Sequence, residues 1–102
     1  MPPGSSELKT AINHPLRRRI LRAYLDRSLS SASAVEMAYL IDEQLATVAY
    51  HLKTLGGCQI LRPVGVGTGN GNAPGHPRWA LDVEEDWLRL MLDLWAQSDP
   101  LG

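Results

Sequence analysis

Between Ser33 and Gly57 the sequence SAVEMAYLIDEQLATVAYHLKTLGG carries two helical hydrophobic patterns with only Asp42, Glu43 and Gln44 between them. Two helices joined by about three residues must pack on each other as a helix-turn-helix, and this narrows the available folds more than any other feature of the chain. In the first helix, Ser33-Ala34-Val35-Glu36 fits a capping box, in which serine and glutamate satisfy each other's orphan amides. That helix starts near Ser33, turns Val35, Met37, Ala38 and Ile41 inward, and ends around Asp42, a residue type that tolerates the left-handed conformation of a sharp turn. The second helix runs from Gln44 to a glycine stop at Gly56-Gly57. At 100° per residue, Leu45, Val48, Leu52 and Leu55 gather on one side, with Ala46, Thr47, Tyr50 and Thr54 opposite and His51 and Lys53 on the flanks.

A water-facing side that carries Thr47, Tyr50, His51, Lys53 and Thr54 needs a chemical reason. In a helix-turn-helix the second helix enters the major groove of DNA. Threonine, tyrosine and histidine make hydrogen bonds or apolar contacts at base edges and phosphates, whereas a row of glutamates would repel the backbone. Two plainer readings stand beside this one: Tyr50 as an amphipathic ring packed at the domain edge, and His51 as a partly buried structural residue.

Upstream, SSELKTAI suits a short helix capped by Ser5 or Ser6, with Leu8, Ala11 and Ile12 on one side. It stops at Asn13-His14. Pro15 fits the first turn of the next helix, where its missing amide proton costs nothing, and Leu16, Ile20, Leu21, Ala23, Tyr24 and Leu25 supply the buried face. The run Arg17 to Arg19 lies mostly opposite and reads more simply as a solvated face than as a phosphate site. Downstream, CQILRPVGVG and HPRWALDV read as strands joined by TGNGNAPG, in which Asn70-Gly71 is a strong hairpin signal. The last helix, VEEDWLRLMLDLWAQSD, is acidic at its start as the helix dipole prefers. Its Trp87, Leu88, Leu90, Met91, Leu92, Leu94 and Trp95 cover more than one stripe, more than so small a chain can hide against itself. The fold class is therefore mainly α with a small β-hairpin: four helices, the hairpin, and a fifth helix.

Residues 1–102 are expected to form one domain, with 44% hydrophobic and 21% charged residues as in an ordinary globule. The formal net charge is −1, but residues 1–62 carry eight lysines and arginines against five acids, and residues 63–102 carry two against six. The chain is thus basic first and acidic last. No apolar run approaches the roughly 20 residues of a bilayer span, and the start MPPGSSELKT lacks the order of a signal peptide, so a cytoplasmic location without membrane attachment is expected. One cysteine, Cys58, and histidines 14, 51 and 76 in separate elements argue against a metal site. Likewise no acid pair or nucleophile–base pair has catalytic spacing, so neither an enzyme nor a cofactor is expected. The glycine-rich GVGTGNG has no lysine and no helix directly after it, unlike a phosphate loop.

NHPLRRRIL, SASAVEMA and LATVAYHLKTLGGCQILRPVGVG, followed by a hairpin and a long last helix, make residues 8 to 97 resemble the ArsR family of winged-helix transcription regulators. HPLRRRIL and TVAYHLKTL are the most specific pieces. The resemblance implies a winged helix-turn-helix that pairs as a homodimer through its first and last helices, binds operator DNA, and represses transcription until released. The chain departs from the family at Asp42, Glu43 and Gln44, where a glycine, a branched apolar residue and a serine are usual, and at Gln59, where glycine is common. The cysteine pairs on the third helix, or the acid and histidine ligands on the last, that mark the family's metal sensors are missing.

Two functional classes follow. In the first, a homodimeric repressor binds double-stranded DNA with Gln44, Thr47, Tyr50 and His51 on bases, Lys53 and Thr54 on the backbone, and Arg62 and Arg78 on the wing reaching flanking phosphate or minor groove. Its dimer seam is the helix over residues 84–97, through Trp87, Leu88, Met91, Leu92, Leu94 and Trp95, together with Leu8 and Ile12. In the second, the domain is a protein-interaction module without DNA binding, as the low net charge and the Asp42-Glu43 pair allow.

Overall fold

The computed structural model describes residues 5–66 and 77–98. Within them run α1 (Ser5–Ile12), α2 (Pro15–Asp26), β1 (Ala32–Ser33), α3 (Ala34–Ile41), α4 (Leu45–Gly57), β2 (Leu61–Val66), β3 (Pro77–Leu81) and α5 (Glu85–Ser98). This is the mainly helical winged arrangement that the sequence implies, with one strand more. The turn expected at TGNGNAPG lies outside the described residues.

The helix α2 is the central post. Pro15 opens it, the His14 ring caps it by accepting the Leu16 amide at 3.1 Å, and Leu16, Ile20, Leu21, Tyr24 and Leu25 are all buried along one face. The three consecutive arginines, Arg19 exposed and Arg17 and Arg18 half-buried, do more than meet solvent. Arg17 Nε donates to the Ala11 carbonyl at 3.2 Å and Arg18 Nη1 to the Ile12 carbonyl at 2.7 Å, closing the end of α1. Arg19 Nη2 donates to the Ile41 carbonyl at the end of α3. Each cation thus sits where a helix leaves carbonyls unbonded and its dipole is negative.

In α3 the capping box forms as the sequence requires: the Ser33 amide donates to Glu36 Oε1 at 2.9 Å and the Glu36 amide to Ser33 Oγ at 3.2 Å. Asp42 takes the left-handed conformation, φ 56° and ψ 57°, as the C-cap. Met37, Ala38 and Ile41 are buried, but Val35, expected inward, is 51% exposed because the core meets α3 on the other side of the helix. Leu45 is exposed too, since α4 makes its core contacts from Val48 onward, through Val48, Leu52 and Leu55.

The hairpin strands are shorter than the sequence suggests, because Cys58 still belongs to α4 as its C-cap and Gln59, at φ 65°, turns the chain. β1 pairs antiparallel with β3, Ala32 opposite Trp79 and Ser33 opposite Arg78, giving the sheet order β1-β3-β2. Two residues that double as a helix cap show no alternation, so sequence pattern does not reveal this strand. Pro63 is tolerated in β2 because β2 is an edge strand, and the register slips between Pro63 and Val66, where Gly65 has φ 75°. Trp79 fixes the sheet to the helices. Its carbonyl accepts the buried Tyr24 hydroxyl at 2.6 Å, and its ring lies where a Cβ on Gly56 would come within 2.5 Å.

On α5, Leu88 and Leu92 are buried in the core, with Trp87 and Trp95 packed partly against it. The Arg18 guanidinium lies 5.4 Å from the centre of the Trp95 ring, and Arg22 pairs with Asp93 at 2.9 Å. The sequence reading puts Ile12, Leu88 and Leu92 at a chain–chain seam. The structure corrects this, because all three are already buried within the protomer and offer a partner no surface.

The two glycines that end α4 should respond oppositely to alanine. In Gly56→Ala the new methyl meets the Trp79 ring, for an expected loss of about 1–3 kcal/mol by overpacking. In Gly57→Ala it meets open space, and helix propensity alone should add up to about 1 kcal/mol. Urea unfolding midpoints measure both; a neutral Gly56→Ala would contradict the close seat of Trp79.

Candidate nucleic-acid interface

The link Asp42-Glu43-Gln44 turns the chain sharply. The left-handed Asp42 lets the Glu43 amide return to the Ala38 carbonyl at 3.0 Å, and the Gln44 carbonyl accepts the Val48 amide at 3.0 Å to start α4. Gln44 is the N-cap by backbone alone; its exposed side chain makes no capping bond and projects at the mouth of the helix. Glu43, an acid where DNA backbone would approach a helix-turn-helix, is bound to Arg19 at 2.8 Å, so its charge is partnered and the turn is tied to α2. The arginine run and the acidic turn, both legible in the sequence, are one feature in space.

Along α4 the outward ridge consists of Gln44, half-buried Thr47, Tyr50 at 64% exposure, exposed Lys53 and half-buried Thr54. The Thr54 hydroxyl donates to the Tyr50 carbonyl at 3.1 Å, so its proton is spent inside the helix while its oxygen can still accept. Exposed Leu45 and Ala46 extend the ridge at its front edge, positions that an inward reading of Leu45 misses.

His51 is not on this ridge, and the expectation that it reads bases is corrected. Only 4% exposed, its ring lies 4.4 Å from that of His14 and 3.2 Å, Nδ1 to Nη1, from Arg17. Burial, with His14 and Arg17 adding like charge, pushes its pKa down from the usual value. The single step from Tyr50 to His51 is a 100° turn, enough to cross from water to core.

The wing arginines divide. Arg62 on β2 is exposed and makes a loose pair with Asp82 at 3.7 Å, leaving its head free to move. Arg78 on β3 also makes contacts inside the chain: Nη1 meets Glu36 at 2.7 Å, Nε donates to Ser31 Oγ at 2.9 Å, and Nη2 donates to the Ser31 carbonyl at 3.2 Å. It ties the wing to the start of the helix-turn-helix. The Ser33 amide, above all, and the Arg78 pair hold the Glu36 carboxyl below its ordinary pKa.

At the other side of the molecule, α5 exposes Leu90 (53%) and Leu94 (47%), one turn apart, beside half-buried Trp87, Met91 and Trp95, and Leu8 of α1 is half-buried. Among the described residues no group of three or more His, Cys, Asp or Glu side chains is placed to hold a metal, and no helix is long and apolar enough to cross a membrane.

No protein-family model and no curated protein matches the chain. Solved structures do. The AntR antimony-specific transcriptional repressor superposes with a TM-score of 0.60 and 25% sequence identity, over 90% of this chain and 72% of that one. A possible transcriptional regulator from Methanosarcina mazei Go1 superposes with a TM-score of 0.58 over 92% and 77%, and at 16% identity it speaks for the fold alone. Helix-turn-helix, wing and neighbours together define a winged-helix protein of the transcription-regulator class. Within that class its fold is the ArsR-like one that the motifs HPLRRRIL and TVAYHLKTL resemble.

Because Arg78 is held by three polar contacts and Arg62 by one long one, truncating them should differ. Arg78→Ala is expected to cost roughly 1 kcal/mol of stability, discounted for its partial exposure, and Arg62→Ala less than about 0.5 kcal/mol. Thermal and urea unfolding of the two variants decide it; equal losses would remove the internal role given to Arg78.

Proposed function

We propose that this protein is a sequence-specific DNA-binding repressor that acts as a homodimer in the cytoplasm, as a single domain over residues 1–102. The observation that carries the reading is the outward ridge of α4: on the second helix of a helix-turn-helix, Gln44, whose side chain makes no capping bond, Thr47 and largely exposed Tyr50 present donors, acceptors and an aromatic ring to solvent. Gln44, Thr47 and Tyr50 then read bases, Lys53 and Thr54 hold the backbone, and Arg62 reaches flanking phosphate. The pairing of Glu43 with Arg19 supports this by lowering the repulsion that two acids at the turn would impose.

Dimerisation is assigned to α5. Leu90 and Leu94, flanked by Trp87, Met91 and Trp95, form the exposed apolar face, to which the proposal adds half-buried Leu8 of α1, and a two-fold seam there would set two copies of α4 about one DNA turn, roughly 34 Å, apart. No cofactor enters this reading. The antimony specificity in the AntR name is not carried over, since the single cysteine, Cys58, is buried.

Binding selection from random duplexes followed by salt titration tests the proposal. A two-fold symmetric motif and an affinity that falls steeply with salt are expected; no binding even at low salt would favour the interaction module instead. Tyr50→Ala should weaken the selected site by about 1–3 kcal/mol and relax discrimination, while Lys53→Ala should weaken all sequences alike and reduce the salt slope by about 1. Equal losses on selected and random DNA for both variants would show that α4 is not the reader.

The seam has its own check. Leu90→Asp with Leu94→Asp changes two side chains that are exposed in the protomer, so the chain should stay folded by circular dichroism and become monomeric by light scattering, with operator affinity lost. A folded double variant that remained dimeric would place the seam elsewhere.

A further inference from the structure

His51 lies on the helix assigned to DNA, one residue from Tyr50, yet it is the one polar residue among the described ones that the core encloses. Its surroundings fix its protonation. A guanidinium only donates, so Arg17 Nη1 at 3.2 Å from Nδ1 requires a lone pair there, and the proton of the ring is on Nε2. The neighbouring His14 ring, 4.4 Å away and tilted by 50°, is also an acceptor at Nδ1, since it takes the Leu16 amide. Arg17 in turn is held by the Ala11 carbonyl, so the contact links the end of α1, the start of α2 and the middle of α4.

The charged and titratable groups around this ring come from each packed element. The start of α2 brings Arg17 and, just before the helix, His14; α4 itself brings Tyr50, its ring centre 5.2 Å away and steeply inclined; further on, the α4 C-cap Cys58 feels the charges of the same Arg17 and of Glu7 on α1. The permanent charge facing His51, that of the Arg17 guanidinium, opposes a positive ring.

We propose that Arg17 and His14 clamp α4 through the uncharged ring of His51, which makes His51 a positioning residue for the DNA-reading face and couples DNA binding to a single proton. The inference rests on the DNA-binding reading above. A proton on Nδ1 would turn the acceptor into a donor aimed at the Arg17 guanidinium and add a cation to a buried cluster that already holds one, so the ring must leave the core. Leaving it carries the α4 backbone away from α2, and with it the presentation of Tyr50. The sign follows from linkage: a histidine that resists protonation in the folded state contributes stability above its ordinary pKa of 6.5, and that contribution is lost as pH falls below it. Acid makes any protein more cationic, which by phosphate attraction alone tightens it on DNA; a loss of affinity on acidification therefore has the opposite sign.

The experiment compares the wild-type chain, His51→Gln and His14→Asn between about pH 7.5 and about pH 5.5, the range in which histidine titrates. Three readouts are used: histidine-ring NMR, urea unfolding without DNA, and anisotropy of a labelled duplex taken from the binding selection. The wild type should lose affinity towards pH 5.5, by less than about tenfold because the folded-state pKa of His51 lies below its ordinary value, with a parallel fall in its unfolding midpoint. Glutamine keeps an acceptor for Arg17 without a titrating ring, so His51→Gln should hold its affinity across the range. His14→Asn keeps an acceptor at the α2 cap and leaves His51 and Arg17 in place, so its affinity should still fall on acidification. Should His51→Gln fail to fold, Arg17→Met gives the same information: with the guanidinium gone, the His51 ring should titrate closer to its ordinary value. A wild-type His51 that titrates normally, or a wild type and His51→Gln that change in parallel, overturns the clamp. Absence of duplex binding at every pH overturns the DNA reading and its coupling, while the NMR titration and the unfolding curves still decide whether the clamp exists.

Discussion

Three neighbouring guanidinium groups on α2 hold the backbone ends of two other helices, and most of the remaining architecture depends on that attachment. A helix end leaves four carbonyls unbonded, and three of those at the close of α1 and α3 accept from Arg17, Arg18 and Arg19 in turn. The same side chains then reach further. Arg17 meets His51 on α4, Arg18 covers Trp95 on α5, and Arg19 takes the Glu43 carboxylate in the turn. One turn on, Arg22 pairs with Asp93. A stretch of sequence that looks like solvated charge therefore sets the position of every other helix relative to α2. Its contribution lies less in the modest energy of exposed pairs than in fixing orientation, because each guanidinium offers several donors in one plane.

Local chemistry explains which parts of the fold were legible in the sequence. Ser33 and Glu36 satisfy each other within one turn, Asp42 adopts the conformation its side chain tolerates, and Pro15 starts a helix because its ring already has the right φ; none of these needs a distant partner. The errors all involve distant partners. β1 exists because Ala32 and Ser33 meet Trp79 and Arg78, more than forty residues later in the chain. Val35 and Leu45 are apolar and in helical register, but the core approaches α3 and α4 from directions that a helical wheel cannot supply.

The same distinction runs through the candidate interface. Gln44, Thr47, Tyr50 and Lys53 face outward as the periodicity of α4 requires. His51 and Arg78 have side chains suited to nucleic acid and lie on suitable elements, yet other parts of the chain claim them: Arg17 and His14 in one case, Ser31 and Glu36 in the other. The acidic turn is the converse. Asp42 and Glu43 read as unfavourable near phosphate until Arg19, on another helix, is seen to hold Glu43. In each case the residue type is visible in the sequence, and its availability is not.

Pro63 has a consequence for how copies of this chain can meet. β2 is an open edge of the sheet, and such an edge is a template on which a strand from another molecule can add and begin aggregation. At Pro63 an incoming strand would find no amide proton to bind, and two residues later the slip in register at Gly65 breaks the regular spacing it would need. The wing is thereby poorly suited to recruit a second wing, and the chain can expose a β-edge on one side and an apolar helix on the other without the first competing with the second for partners.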